Sequence, residues 1–186
     1  MKLIKKILFP LFSLFLFYQT FELVKQVLAS GSNAYSHSEI LTVALLLVLF
    51  ITGVFAFPGF AYPTSRLMPA NYYKIKNAKH LERLYRLLGI RYFRVFLLVF
   101  FWGWKKNKQK YFNGTRNGLQ NFVYQTKQSE FGHLCAFVIV LMVSLILLIY
   151  AHLLLFALLT LVNVLGNLYP VVLQRYHRIR IEKLLQ

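Results

Sequence analysis

Residues 134–173 read LCAFVIVLMVSLILLIYAHLLLFALLTLVNVLGNLYPVVL and contain no Lys, Arg, Asp or Glu. A membrane-spanning helix needs about 20 mostly apolar residues, so this stretch is about twice as long as one crossing. A single straight helix would overshoot the bilayer by roughly 30 Å at 1.5 Å per residue. Because the least apolar point lies at residues 150–152, the stretch predicts a helical hairpin with membrane helices at 134–150 and 152–173.

Two further apolar segments precede this hairpin. Residues 7–28 and 40–57 each have the length and composition of a membrane helix, and we expect the second to stop at Pro58. The first segment also has features of a cleavable leader, because MKLIKK precedes its apolar run. A small-residue cleavage site should then follow directly, but QTFELVKQ follows instead. We favour an uncleaved helix, and cleavage stays open as the alternative.

The composition excludes several classes of protein. Of the 186 residues, 58% are hydrophobic and 15% are charged, whereas ordinary soluble domains contain about 25% charged residues. The apolar residues lie in long runs, which rules out a soluble globular domain. Cys135 is the only cysteine, so no disulfide can form within the chain. No aspartate occurs, which excludes enzymes that depend on one.

The uneven distribution of basic residues predicts the orientation in the membrane. The net charge is +17, and Lys and Arg favour the cytoplasmic side. Residues 29–39 and the hairpin turn contain no Lys or Arg, whereas residues 61–132 contain fourteen. The N-terminus and the C-terminal tail are also basic. We therefore expect a multi-pass membrane protein with both termini in the cytoplasm.

Together these patterns predict an all-α integral membrane protein, a single domain of about four transmembrane helices. A long basic cytoplasmic segment, 61–132, separates helices 2 and 3. Within it, residues 92–104 are apolar but too short to span easily, so we expect an interfacial or re-entrant position with Trp102 and Trp104 at the headgroup boundary. The positive charge serves either topology and attraction to anionic lipids or binding of an anionic substrate. Nucleic-acid binding is not favoured, because the basic residues adjoin apolar helices.

One group of polar residues has spacings of four and three: Thr126, Glu130 and His133 share a helix face. A histidine with a carboxylate partner can act as a general base, because the carboxylate fixes the imidazole tautomer and stabilises its cation. The alternative is a carboxylate favoured by a helix N-terminus beside an interfacial histidine. Glu-x-x-His also occurs in di-iron proteins, but those need a second copy, which this sequence lacks. We expect no metal site.

A second polar group ends the last hairpin helix. Asn163 and Asn167 share a helix face, Pro170 should free the carbonyl four residues before it, and residues 174–180 read QRYHRIR. Taken alone, this tail is a positively charged anchor. Because hairpin helices are antiparallel, the tail should meet the face that carries the possible base. The predicted site comprises a base, its carboxylate and substrate-binding residues: His133, Glu130, Thr126, Asn167, Gln174, Arg175, Tyr176 and Arg178.

These spacings resemble a known family. T-x-x-x-E-x-x-H at 126–133, followed by N-x-x-P-x-x-x-Q-R-Y-x-R-x-R at 167–180, resembles the glycosyl-4,4'-diaponeurosporenoate acyltransferases of bacterial carotenoid synthesis. The tail is the most specific part, and the N-terminal third of the chain departs from the family pattern. Weaker similarity covers these earlier positions: Arg66, Pro69, Tyr72, Tyr73, Glu82, Gly89, Phe93, Trp104 and Lys105.

The resemblance implies transfer of a fatty acyl group to a sugar hydroxyl of a glycosylated carotenoid or related glycolipid. The donor would be an acyl-CoA or acyl-carrier-protein thioester, which is a co-substrate, and no cofactor is expected. By their chemistry, His133 would deprotonate the hydroxyl, Glu130 would orient His133, and Arg175 or Arg178 would bind the donor or the oxyanion. Two alternatives remain. One is acyl transfer to a different membrane lipid, and the other is a non-enzymatic adaptor whose basic loop binds anionic lipid or a partner.

Overall fold

The computed structural model describes residues 2–31, 34–100 and 115–185, and none of these residues forms a strand. In chain order the helices are α1 (Lys2–Ala29), α2 (His37–Ala61), α3 (Ala78–Leu87), α4 (Ile90–Phe100), α5 (Arg116–Ile149), α6 (Leu153–Asn163) and α7 (Tyr169–Leu185). A π-helical segment, Val164–Leu168, joins α6 to α7. Two short 3₁₀ helices, Thr64–Leu67 and Ala70–Tyr73, precede α3.

Four helical stretches are long and apolar enough to cross a membrane, which confirms the expected all-α membrane fold. They are Leu3–Ala29, His37–Ala61, Gly118–Ile149 and Leu153–Leu184. The third helix starts well before residue 134, where the apolar run begins, because no proline interrupts residues 116–133. The 34 residues of α5 are about 50 Å long, so the helix exceeds the ~30 Å hydrocarbon core.

Helix α2 continues through Pro58 to Ala61 instead of stopping at residue 57. A proline has no N–H, so the carbonyl four residues earlier loses its helical donor. That carbonyl belongs to Val54, and the Ser13 hydroxyl of α1 donates to it at 2.7 Å. A tertiary hydrogen bond therefore replaces the missing helical one, and the helix persists for another turn.

Helix α1 contains a proline too, and the same compensation occurs there. Pro10 leaves the Lys6 carbonyl without its helical donor. The Tyr62 hydroxyl, which follows the end of α2, donates to this carbonyl at 3.1 Å. The two reciprocal bonds fix the pairing of α1 and α2 at one end of the helices.

The chain folds as two compact units. The first unit contains residues 1–64 and 132–168, and the second contains residues 65–131 and 169–186. Apolar side chains of α2, α5 and α6 form the core of the first unit, among them Leu47, Val140 and Leu159, which are fully buried.

The second unit has its own apolar cluster, built from α3, α4 and α7. Tyr85, Ile90, Leu173 and Ile179 form its buried part. Gly89 separates α3 from α4 with a φ of 67°, a conformation that glycine adopts without a steric penalty. The sharp turn brings the two short amphipathic helices onto the same cluster.

The hairpin turn occupies residues 150–152. Ala151 has a φ of 61°, and its N–H donates to the Leu148 carbonyl, while the His152 N–H donates to Leu147. This pair of bonds is a Schellman cap, which ends a helix by satisfying its last carbonyls. The reversal separates α5 from α6 at the least apolar point of the long run.

Residues 101–114 lie outside the described residues, and so do several positions named from the sequence. Trp102, Trp104 and Lys105 are among them. The part of the expected interfacial segment that the structure describes forms the C-terminal portion of α4.

Candidate active site

Glu130 lies on α5 in the second unit and is fully buried, with 0% of its surface exposed. Its carboxylate accepts hydrogen bonds from Arg175 Nε at 2.8 Å and from Arg178 Nη2. Both arginines belong to α7, so the tail does meet the carboxylate that the sequence singled out. Two guanidiniums around one carboxylate leave an excess of one positive charge at this point.

Arg178 is the more deeply buried of the two arginines, with 1% of its surface exposed. Its Nε and Nη1 atoms have no hydrogen-bond partner among the described residues. A buried donor left unpaired costs about 1–3 kcal/mol, and more when it is charged. The N–H of Nε and the two N–H groups of Nη1 on this buried cation therefore have no acceptor among the described residues.

Two tyrosines of the 3₁₀ helix Ala70–Tyr73 line the same cluster. The Arg175 guanidinium lies 4.8 Å from the ring centroid of Tyr72, and the Arg178 guanidinium lies 5.5 Å from that of Tyr73. Such cation–π contacts hold the planes of the guanidiniums. The sequence placed both tyrosines only in the weaker part of the family resemblance, because nothing in their spacing points to α7.

The Tyr72 hydroxyl takes part in the charged network. It interacts with both Glu130 and Arg175. Burial raises the pKa of Tyr72, and the negative charge of Glu130 raises it further. The phenol therefore stays protonated and acts as a hydrogen-bond donor at neutral pH.

Backbone and amide groups hold these tyrosines and the adjacent residues in place. The Tyr73 hydroxyl donates to the Ser65 carbonyl at 3.1 Å, and the Ser65 N–H donates to Gln128 Oε1 at 2.6 Å. Gln174 Nε2 donates to Ser129 Oγ at 3.1 Å. Gln174, which the sequence placed among the substrate-binding residues, thus ties α7 to α5.

Two other residues of the predicted site have local roles. The Thr126 hydroxyl donates to the Val123 carbonyl of its own helix at 2.7 Å, so its proton is used within α5. The Tyr176 ring packs edge-on against Tyr85, with centroids 6.4 Å apart, and belongs to the apolar cluster of the second unit. These contacts give no direct support for substrate binding by either residue.

His133 belongs to the first unit, and its hydrogen-bond partner is an amide. Its Nδ1 lies 3.0 Å from Asn167 Oδ1. Asn167 Nδ2 in turn donates to Asn163 Oδ1 at 3.0 Å, and the Thr52 hydroxyl donates to Asn167 Oδ1 at 3.0 Å. Asn167 therefore orients the imidazole, whereas Glu130 is held by the arginines. Thr52 carried no sequence signal, because it lies inside an apolar helix with no polar neighbour at helical spacing.

Among the described residues, no three His, Cys, Asp or Glu side chains come together in a way that could hold a metal ion. The two clusters contain a histidine, a carboxylate, two guanidiniums, neutral amides and a phenol.

A comparison with family models identifies relatives of the chain. The model of the glycosyl-4,4'-diaponeurosporenoate acyltransferase family matches residues 69–186. The chain belongs to this family. The match confirms the resemblance drawn from the two motifs and makes the protein an acyltransferase, which removes the non-enzymatic adaptor as an alternative. No curated protein and no solved structure matches the chain.

Proposed function

We propose that this family member transfers a fatty acyl group from a thioester donor to a sugar hydroxyl of a glycosylated carotenoid. Membership of the family supports an acceptor of the glycosyl diaponeurosporenoate type. The four apolar helices support a lipid-soluble acceptor, because the polyene of a carotenoid is as apolar as the hydrocarbon core.

In the proposed reaction His133 takes the proton of the sugar hydroxyl as general base. The oxygen attacks the thioester carbonyl, an ester C–O bond forms, and the C–S bond breaks. The proton then passes from the imidazolium to the thiolate that leaves, so the enzyme returns to its starting state. The hydrogen bond from His133 Nδ1 to Asn167 supports this role, because an oriented imidazole keeps its other nitrogen available.

The cluster of Arg175 and Arg178 binds an anionic part of the donor in this proposal. The observation that carries it is that Nε and Nη1 of the buried Arg178 have no acceptor among the described residues. A guanidinium offers a planar fork of donors that suits phosphate oxygens, which both candidate donors carry on their pantetheine arms. Acyl-CoA and acyl-carrier protein are told apart by supplying each as the sole donor to the purified enzyme in lipid nanodiscs.

We also propose that the protein lies in the bacterial cell membrane with both termini in the cytoplasm. The distribution of Lys and Arg supports this orientation. A cysteine at Gly31, in the segment between α1 and α2, should react with an impermeant maleimide in intact cells, in a Cys135→Ser background. A cysteine at the exposed Arg180 should react only after the cells are opened. Labelling of Arg180→Cys in intact cells would reverse the orientation.

The reaction is tested with purified enzyme, a glycosylated carotenoid and a long-chain acyl thioester, with mass spectrometry of the product. His133→Ala should lower turnover by about 10²–10⁴. His80→Ala is the matched control, because His80 is an exposed histidine of α3 outside both polar clusters. Near-normal acylation by a well-inserted His133→Ala variant would rule out the proposed base.

A further inference from the structure

A chain of hydrogen bonds leads from a backbone carbonyl to the imidazole of His133. It starts at Phe137 on α5, whose carbonyl can only accept. Asn163 Nδ2 donates to this carbonyl at 3.0 Å. The amide nitrogen of Asn163 is therefore fixed on the Phe137 side, and its oxygen Oδ1 faces Asn167. If the Asn163 amide were turned the other way, its Oδ1 would face the Phe137 carbonyl oxygen, and neither atom could donate.

The orientation of the Asn167 amide follows in the same way. Asn163 Oδ1 can only accept, so the atom of Asn167 that faces it at 3.0 Å is the donor Nδ2. Asn167 Oδ1 then points to His133, and the Thr52 hydroxyl donates to this oxygen as well. A flipped Asn167 would oppose its oxygen to that of Asn163.

The order of donors and acceptors decides where the imidazole carries its proton. Because Asn167 Oδ1 can only accept, His133 Nδ1 must donate. A neutral imidazole has one N–H, so Nε2 keeps its lone pair. The Gly166 backbone is a second group that interacts with the imidazole.

The environment of these groups makes the arrangement rigid. Asn163 and Asn167 are both fully buried. Asn163 directly precedes the π-helical segment Val164–Leu168 and Asn167 lies within it, and this helix type is common at functional sites. Neutral amides can orient a base in an apolar helix without the cost of burying a carboxylate there.

We propose that Asn163 and Asn167 are positioning residues that hold the neutral His133 as its Nδ1–H tautomer and so leave Nε2 as the atom that takes the proton from the acceptor hydroxyl. This inference rests on the proposed role of His133 as general base. Nε2 is then the proton-accepting atom, and the two asparagines select it.

The first test reads the tautomer without any measurement of activity. The full-length enzyme is labelled with ¹⁵N-histidine in nanodiscs at a pH where His133 is neutral, and its signals are assigned by subtracting the spectrum of His133→Gln. We expect Nδ1 to resonate as a protonated nitrogen and Nε2 as an unprotonated one. A proton on Nε2, donated to the Gly166 carbonyl for example, would overturn the proposal.

The second test perturbs the two amides. Asn167→Leu removes the acceptor and should give a mixture of tautomers and a fall in kcat of about tenfold or more, within the 10²–10⁴ available to a base, at little changed KM. Thr160→Val is the control and should change neither the tautomer of His133 nor kcat. It removes a buried hydroxyl of α6 that has no hydrogen-bond partner among the described residues.

The outcomes separate this inference from the proposed function. Full acylation by His133→Ala would defeat the general base and leave the tautomer result standing. An unchanged tautomer in both Asn163→Leu and Asn167→Leu would instead defeat the positioning role, even if His133 proves essential.

Discussion

The two polar clusters of this protein differ in the groups that bond to their central residue. Around Glu130, in the second unit, one carboxylate is matched by two guanidiniums and a phenol. Around His133, in the first unit, the partners are two amides and a hydroxyl. Glu130 precedes the uncharged run 134–173, whereas Asn163 and Asn167 lie within it. Because an ionised group in the bilayer is costly, charge is confined to the helix end and neutral amides serve the apolar span.

The clusters also differ in whether their polar groups have hydrogen-bond partners. Both asparagines form a continuous series of bonds that ends at a backbone carbonyl. Arg178, in contrast, has two nitrogens, Nε and Nη1, without a partner among residues 2–31, 34–100 and 115–185. The difference suits the separate tasks that we propose, since a base needs one fixed geometry and a substrate site needs free donors.

The largest effect should come from removing the buried negative charge. Glu130→Gln leaves Arg178 without its counter-ion in a buried site, and breaking a buried pair in this way costs about 3–5 kcal/mol. We expect a loss of unfolding free energy of this size, measured by SDS-induced unfolding in mixed micelles. Glu82→Gln is the control, because Glu82 pairs with Lys183 at the surface, where a pair contributes only about 0–1 kcal/mol. Equal losses in the two variants would remove the distinction between buried and exposed charge.

A smaller effect should separate the two arginines. Arg178→Lys keeps the charge but removes the planar fork of donors, so we expect a drop in kcat/KM of about tenfold, or about 1.4 kcal/mol. Arg175→Lys should have less effect, because the Arg175 side chain is 29% exposed whereas that of Arg178 is buried. Arg180→Lys, at an exposed position of α7, is the control for charge alone. If all three variants keep full activity, the tail is an anchor and not a donor site.

The smallest effect should come from the amide cluster. Thr52→Val removes one of the donors to Asn167 Oδ1 and should cost about 0.5–1.5 kcal/mol of unfolding free energy. The tautomer of His133 should not change, because Asn163 alone fixes the orientation of Asn167. Thr42→Val is the control, since the Thr42 hydroxyl donates to the Ser38 carbonyl of its own helix and lies outside both polar clusters. A change of tautomer in Thr52→Val would assign the orienting role to the hydroxyl instead.

The sequence correctly predicted which stretches are membrane helices, because about 20 apolar residues in succession have few other places in a folded protein. It was less informative about where the helices end. Helix α2 passes through Pro58 since a serine 45 positions earlier in the chain supplies the missing hydrogen bond. The sequence of residues 54–58 does not indicate that Ser13 is the partner.

The candidate site shows the same division. Spacing placed Thr126, Glu130 and His133 on one helix face, and the family motif included the arginines of α7. The partners of each residue could not be derived from spacing. Proximity in the sequence suggested that Glu130 orients His133, but a carboxylate bonds to the strongest donors within reach, and these are guanidiniums from α7.

By itself, the sequence determined the class of this protein, its four apolar helices and its membership of an acyltransferase family. These follow from composition, run length and motif, which are local properties of the chain. Only the tertiary structure decided which polar groups pair: Asn167 with His133, Tyr72 with Arg175, and Arg178 with Glu130. The physical reason is that a buried polar group must find a partner wherever the packed helices supply one, and that position is set by the fold and not by distance along the chain.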